Sequence, residues 1–120
     1  METVRVAVMV RNPAQPDRTW EGLFRVDTGA MSSFVPGRCL RGIGLQPQGE
    51  RSCQLADGSE GKVEVVGVQV ELMGEMTCTT VIFGSDDAEP ILGLTALESM
   101  GIELDPQNQR LRRLPAVRLK

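Results

Sequence analysis

A chain of 120 residues with a net charge of −3 and a pI near 5.0 is read as one domain, with room for a single hydrophobic core. Histidine is absent, which excludes Ser-His-Asp and Cys-His couples and imidazole metal sites and leaves carboxylate chemistry to the chain's own residues. The thirteen basic residues are scattered except toward the C-terminal end, arguing against a nucleic-acid partner, and an aromatic content of 3% leaves Val, Leu, Ile and Met to fill the core of a sheet rather than a bundle.

Val4, Val6, Val8 and Val10 alternate with Thr3 and Arg5, which predicts a first strand over residues 3–10 with its valines inward, and neither a signal peptide nor a membrane span. Pro13 and Pro16, with Asn12 and Asp17, predict a surface loop from Arg11 to Arg18. A second strand, Thr19 to Val26, runs into Asp27 and a tight turn made of Thr28, Gly29 and Ala30; a short third strand, Ser32 to Val35, leaves it. A carboxylate between two apolar strands is expensive to desolvate unless it is hydrogen-bonded or does chemistry, and Gly29 lets the backbone approach it closely. Asp27 is therefore the candidate working group, set against the plainer reading of an ordinary Asx turn. Pro36 to Ile43 reads as a short helix with Pro36 first and Gly42 or Gly44 near its end.

Glu50 to Ala56 and Glu60 to Val66 read as two arms of a hairpin around Asp57-Gly58-Ser59. In the second arm the apolar positions change from odd (Val63, Val65) to even (Val66, Val68, Val70, Leu72), which predicts a bulge or break beside Gly67. Met76 to Phe83 is a further strand, and Gly84 to Glu89 a turn whose acids, Asp86, Asp87 and Glu89, are read as a solvated loop rather than a cation site. Thr95-Ala96-Leu97-Glu98 has the form of a capping box and Gly101 the place of a C′ glycine, so a helix is expected over about Ala96 to Met100. Strands at Ile102 to Leu104 and Arg110 to Leu114 flank an Asp105-Pro106-Gln107-Asn108 turn. Arg112, Arg113, Arg118 and Lys120 form a basic, solvated tail. Cys39, Cys53 and Cys78 are odd in number and widely spaced, with no C-x-x-C, and are read as reduced, mostly buried thiols. A cytoplasmic location is the default expectation, with no cofactor, no metal and no membrane partner.

Leu23 to Pro36, LFRVDTGAMSSFVP, resembles the active-site signature of aspartic proteases, and Pro90-Ile91-Leu92-Gly93 followed by a helix resembles the second signature of that clan. With one Asp-Thr-Gly, the chain is similar to the single-domain, retropepsin-like branch in its cellular or bacterial form, over about Val4 to Leu114. The resemblance implies an all-β fold, a closed barrel with one short C-terminal helix and a flap hairpin, in a single domain spanning residues 1–120. It also implies a homodimer in which two copies of Asp27 activate water against a peptide or protein substrate.

In that scheme Thr28 braces the partner's turn through its hydroxyl, against the alternative of a local turn bond, and Gly29 donates its N–H to the carboxylate. Ala30 borders the substrate backbone. Ala56, Asp57, Gly58 and Ser59 form the tip of the flap, or, on the plainer reading, a surface hairpin with no lid role. Ile91, Leu92 and Gly93 close the site from behind, with Gly93 giving close approach. The chain departs from the family in two places. Leu94 and Thr95 follow the Ile-Leu-Gly segment where a charged or amide residue is common, and Met31, Ser32 and Ser33 stand where retroviral enzymes carry acids. The expected function is an endopeptidase acting on extended, mainly apolar peptide segments. A non-catalytic dimerisation or peptide-binding module of the same fold is the competing reading, and Asp57 and Asp105 are the candidates should one chain have to supply a second acid.

Overall fold

The valine alternation of the first segment becomes a strand whose inner face is closed to water. In the computed structural model, which describes residues 3–115, β1 (Arg5–Asn12) buries Val8 and Val10 completely and half-buries Val6, and Val4 just before it is half-buried too. It pairs antiparallel with β2 (Gln15–Val26), so the predicted loop from Arg11 to Arg18 shrinks to a tight connection at Pro13-Ala14. The prolines are accommodated because the register jumps between Arg11↔Thr19 and Asn12↔Gln15. Pro16, which has no N–H for a ladder, thus falls in the unpaired excess of β2. Asn12 holds this corner: its Oδ1 accepts the N–H groups of Ala14 and Gln15, and its Nδ2 donates to the Ile43 carbonyl at 2.8 Å.

The remaining elements are β3 (Phe34–Pro36), α1 (Gly37–Gly42), β4 (Gly49–Gln54), β5 (Glu60–Leu72), β6 (Glu75–Gly84), β7 (Ile91–Leu92), α2 (Leu94–Ser99), β8 (Ile102–Asp105) and β9 (Arg110–Arg113). The large sheet runs β1-β2-β7-β3-β6-β5-β4, and β5 returns to β1 through Met9↔Glu71, Val10↔Val70 and Arg11↔Gln69, closing the strands into a ring. β8 and β9 form a separate hairpin.

Val8, Val10, Phe24, Val66, Val68 and Leu92 meet inside the ring, and Leu40 of α1 and Leu97 of α2 are buried with them. Each such side chain contributes roughly 1.5–3 kcal/mol on burial, against about 0–1 kcal/mol for an exposed ion pair, so aliphatic filling rather than surface charge holds the ring.

Three expectations are corrected. No bulge interrupts β5 near Gly67; its pairing with β6 is continuous from Val65↔Ile82 to Leu72↔Glu75. The change of parity falls where the strand exchanges partners, since residues 60–65 pair with β4 and residues 65–72 with β6. The capping box is not formed either: α2 starts from Gly93, with no side-chain cap. Of the thiols only Cys39 is buried, where desolvation raises its pKa, while Cys53 is half-buried and Cys78 exposed. The C′ role of Gly101 is as expected, with φ at +69°. Arg112 pairs with Glu103, and Arg113 pairs with Glu75 while donating to the Met73 carbonyl; Arg118 and Lys120 lie outside the described residues.

Candidate active site

Strand periodicity decides where the candidate acid points. Phe24 and Val26 of β2 are buried in the core, so Arg25 and Asp27 project from the opposite side of the strand. Beyond Val26 the chain turns at once. The Ala30 N–H donates to the Asp27 carbonyl at 3.1 Å, and the Gly29 N–H donates to Asp27 Oδ1 at 2.9 Å. Asp27 thus caps its own turn with one oxygen and presents the other, at the surface, 3.5 Å from Arg25 Nη1; its side chain is 36% exposed. Thr28 and Gly29 are exposed beside it.

The turn is locked from behind by a strand threaded through it. β7 lies between β2 and β3, parallel to the first (Arg25↔Ile91, Val26↔Leu92) and antiparallel to the second (Phe34↔Ile91). The Asp27 N–H donates to the Leu92 carbonyl at 3.0 Å, and the Gly93 N–H to the buried Ser33 Oγ at 2.9 Å. Gly93 is required by space: a Cβ there would lie 2.5 Å from the Ser32 carbonyl oxygen and 2.9 Å from that of Met31. The first N–H groups of α2 are taken by the same turn, Leu94 donating to the Ala30 carbonyl at 2.8 Å and Thr95 to that of Met31 at 3.1 Å. Backbone carbonyls therefore do the work that the Thr95 side chain was expected to do.

Around this centre the other predicted residues are dispersed. Ala56, Asp57, Gly58 and Ser59 are exposed at the tip of the β4–β5 hairpin. The Gly58 N–H donates to the Leu55 carbonyl, Leu55 and Ser59 close the loop, and Gly58 has φ at +86°, so the turn has three residues with a left-handed glycine last. The Ser59 hydroxyl, and then its N–H, hold the Asp57 carboxyl below the usual carboxylate range. Asp105 is likewise occupied: the Asn108 side chain first, then the N–H groups of Gln107 and Asn108, hold it low. No hydrogen bond or ion pair joins either acid to Asp27 among the described residues.

Thr28 borders a groove of about 590 Å³ that runs past Leu94, Leu97, Leu104 and Leu114. No hydrogen bond ties its hydroxyl to the described residues, so the local turn bond weighed from the sequence is not formed. A second hollow, of about 710 Å³, is lined by Met31, Ser32, Arg51 and Thr80 among others. Asp27 does not line it, so within one chain the carboxylate sits at an open surface rather than in a cavity. Among the described residues no cluster of three or more acids or thiols could hold a metal ion, and no helix is long and apolar enough to cross a membrane. The acids of the 84–89 turn are engaged instead: Asp86 pairs with Arg41, and Asp87 accepts from the Ser85 hydroxyl.

Sequence reading missed the charged ledge beside Asp27. Glu89 bridges two arginines, taking Arg5 Nη2 on Oε1 at 3.0 Å and Arg25 Nε on Oε2 at 3.2 Å; Arg5, and then Arg25, hold its carboxyl below the usual range. Arg5 and Arg25 lie directly opposite each other on β1 and β2, where like charges repel. The signal available was the two-residue spacing of Arg25 and Asp27, which puts both on one face.

No protein-family model and no curated protein matches this sequence. Among solved structures the chain is similar to the EIAV protease complexed with the inhibitor HBY-793, with a TM-score of 0.59 and 18% identity over 87% of this chain and 93% of that one. It is also similar to a retropepsin-like aspartic protease from Rickettsia conorii, with a TM-score of 0.52 and 17% identity over 88% of this chain and 89% of that one. The fold is retropepsin-like.

Proposed function

We propose that this chain is an aspartic endopeptidase that works as a homodimer, each copy contributing one Asp27. The observation that carries the reading is the placement of Asp27. It is a turn-held carboxylate at the end of β2, locked to Leu92 through its N–H, with one oxygen bound by Gly29 and the other at the surface, 3.5 Å from Arg25 Nη1. A catalytic pair needs an ionised and a protonated acid at once, and two carboxylates about 3 Å apart hold that state because they do not both ionise. The retropepsin-like fold and the exposure of Thr28 beside the acid support the assembly.

In the dimer the ionised Asp27 takes a proton from water as the water oxygen bonds to the scissile carbonyl carbon. The protonated Asp27 passes its proton to the carbonyl oxygen, so a tetrahedral diol forms with one proton left on the pair and no covalent enzyme intermediate. Collapse of the diol breaks the C–N bond as the pair's proton passes to the leaving nitrogen and a diol hydroxyl, becoming the product carbonyl, returns its proton to the pair, restoring the one shared proton. Thr28 braces the partner's turn, Ala30 borders the substrate backbone, Ile91, Leu92 and Gly93 close the site from behind, and the tip at Ala56 to Ser59 folds over the bound peptide.

A mixed peptide library incubated with the purified protein and with Asp27→Asn tests the reading. Cleavage by the first and none by the second is expected, because Asn keeps the shape but cannot cycle a proton. Binding without cleavage by both proteins would favour the non-catalytic module.

A further inference from the structure

We propose that Arg25 is a specificity-determining residue, selecting peptides with an acidic side chain next to the scissile bond; this rests on the aspartic endopeptidase reading above. Arg25 precedes Asp27 by two residues on one strand face, and its Nη1 lies 3.5 Å from Asp27 Oδ2. A peptide bond seated on Asp27 brings a flanking side chain over the guanidinium, since an extended residue spans about 3.3 Å, half the spacing of same-face neighbours on a strand.

The guanidinium is prepared for that contact. Arg25 spends Nε on Glu89, which Arg5 grips from the other side, and faces Asp27 with Nη1, so the fork is fixed in place with Nη2 to spare and its side chain only 30% exposed. Glu89 has both oxygens engaged by arginines, so it offers a basic substrate residue little. The ledge of Arg5, Arg25 and Glu89 carries one net positive charge. A substrate carboxylate can take N–H bonds from the Nη donors that Glu89 leaves over, whereas an apolar side chain would cover those donors without pairing them. The substrate class therefore differs from the mainly apolar segments expected from the sequence.

Binding to the Asp27→Asn protein tests this without requiring turnover. The probes are peptides that vary only in the residue flanking the central bond, with Asp or Glu set against Asn or Gln. The acidic peptides should bind roughly tenfold to a hundredfold more tightly, the range of a hydrogen bond to a charged group. Arg25→Leu in the same background should abolish the difference. Arg25→Lys, which keeps the charge and the fold but loses the fork, should retain part of it. Equal binding of acidic and amide peptides, no binding of either, or an acidic preference that survives Arg25→Leu would overturn the proposal. Absence of cleavage by the unsubstituted protein would count against the peptidase reading alone and leave this binding preference standing.

Discussion

The N–H of Asp27 donates to the carbonyl of Leu92 at 3.0 Å, so the candidate acid and a segment far along the chain form one unit. Gly93 is the point at which that unit tolerates no side chain, because the atoms a Cβ would meet are backbone and cannot swing aside. Gly93→Ala is expected to lose about 1–3 kcal/mol or more of stability, on the order of 5–15 °C in Tm, and most activity. Gly42→Ala, where a Cβ meets nothing within 4 Å, is the control and should leave Tm unchanged or slightly raised. Thermal unfolding of the two variants side by side checks the pair.

Stability should fall at acid pH in a defined sense. Asp105 and Glu89 both have folded-state pKa values below the ordinary carboxylate range, Asp105 through Asn108 and Glu89 through Arg5. Their contribution is complete above the unfolded carboxylate pKa of about 4 and is lost as pH drops through the lower folded values. Asp105→Asn should therefore be less stable than the parent at pH 7, with the gap narrowing below about pH 4. Tm measured from pH 7 to pH 2.5 for both proteins reads this directly.

The hairpin tip separates lid from ornament. Gly58 has φ at +86° with open space around it, so Gly58→Ala strains the turn by about 1–2 kcal/mol without a clash. Because a Cβ there meets no neighbour, Tm should fall only by the strain, roughly 5–10 °C. If the hairpin closes over substrate, kcat/KM should drop severalfold, chiefly through KM; an unchanged KM would make it a surface hairpin.

A shared proton gives activity two limbs. The rate should be bell-shaped in pH on the acid side of neutrality, one limb for protonation of the ionised partner and the other for loss of the shared proton. Chelators and thiol or serine reagents should have no effect. A single sigmoid, or inactivation by a chelator, would point to another mechanism.

Much of this molecule was legible where the pattern was local. The alternation of Val4 to Val10, the Asp27 turn and the left-handed Gly101 each follow from a few neighbouring residues. What escaped reading depends on distant partners. The start of α2 is set by the carbonyls of Ala30 and Met31 rather than by its own Thr95. The parity change in β5 reflects an exchange of strand partners, which no single strand can display. Pro16 reads as a loop breaker but sits in an unpaired excess within a strand. The Arg5, Glu89 and Arg25 ledge joins three separate segments.

The most direct test of two Asp27 residues forming one site is specific activity measured alongside mass by analytical ultracentrifugation across a dilution series. An isologous dimer with one acid per copy is active only when assembled. Specific activity should therefore rise with concentration and level off in step with the dimer fraction. Full activity in a protein that sediments as a monomer at every concentration would contradict the account, and the second acid would then have to be sought within the same chain.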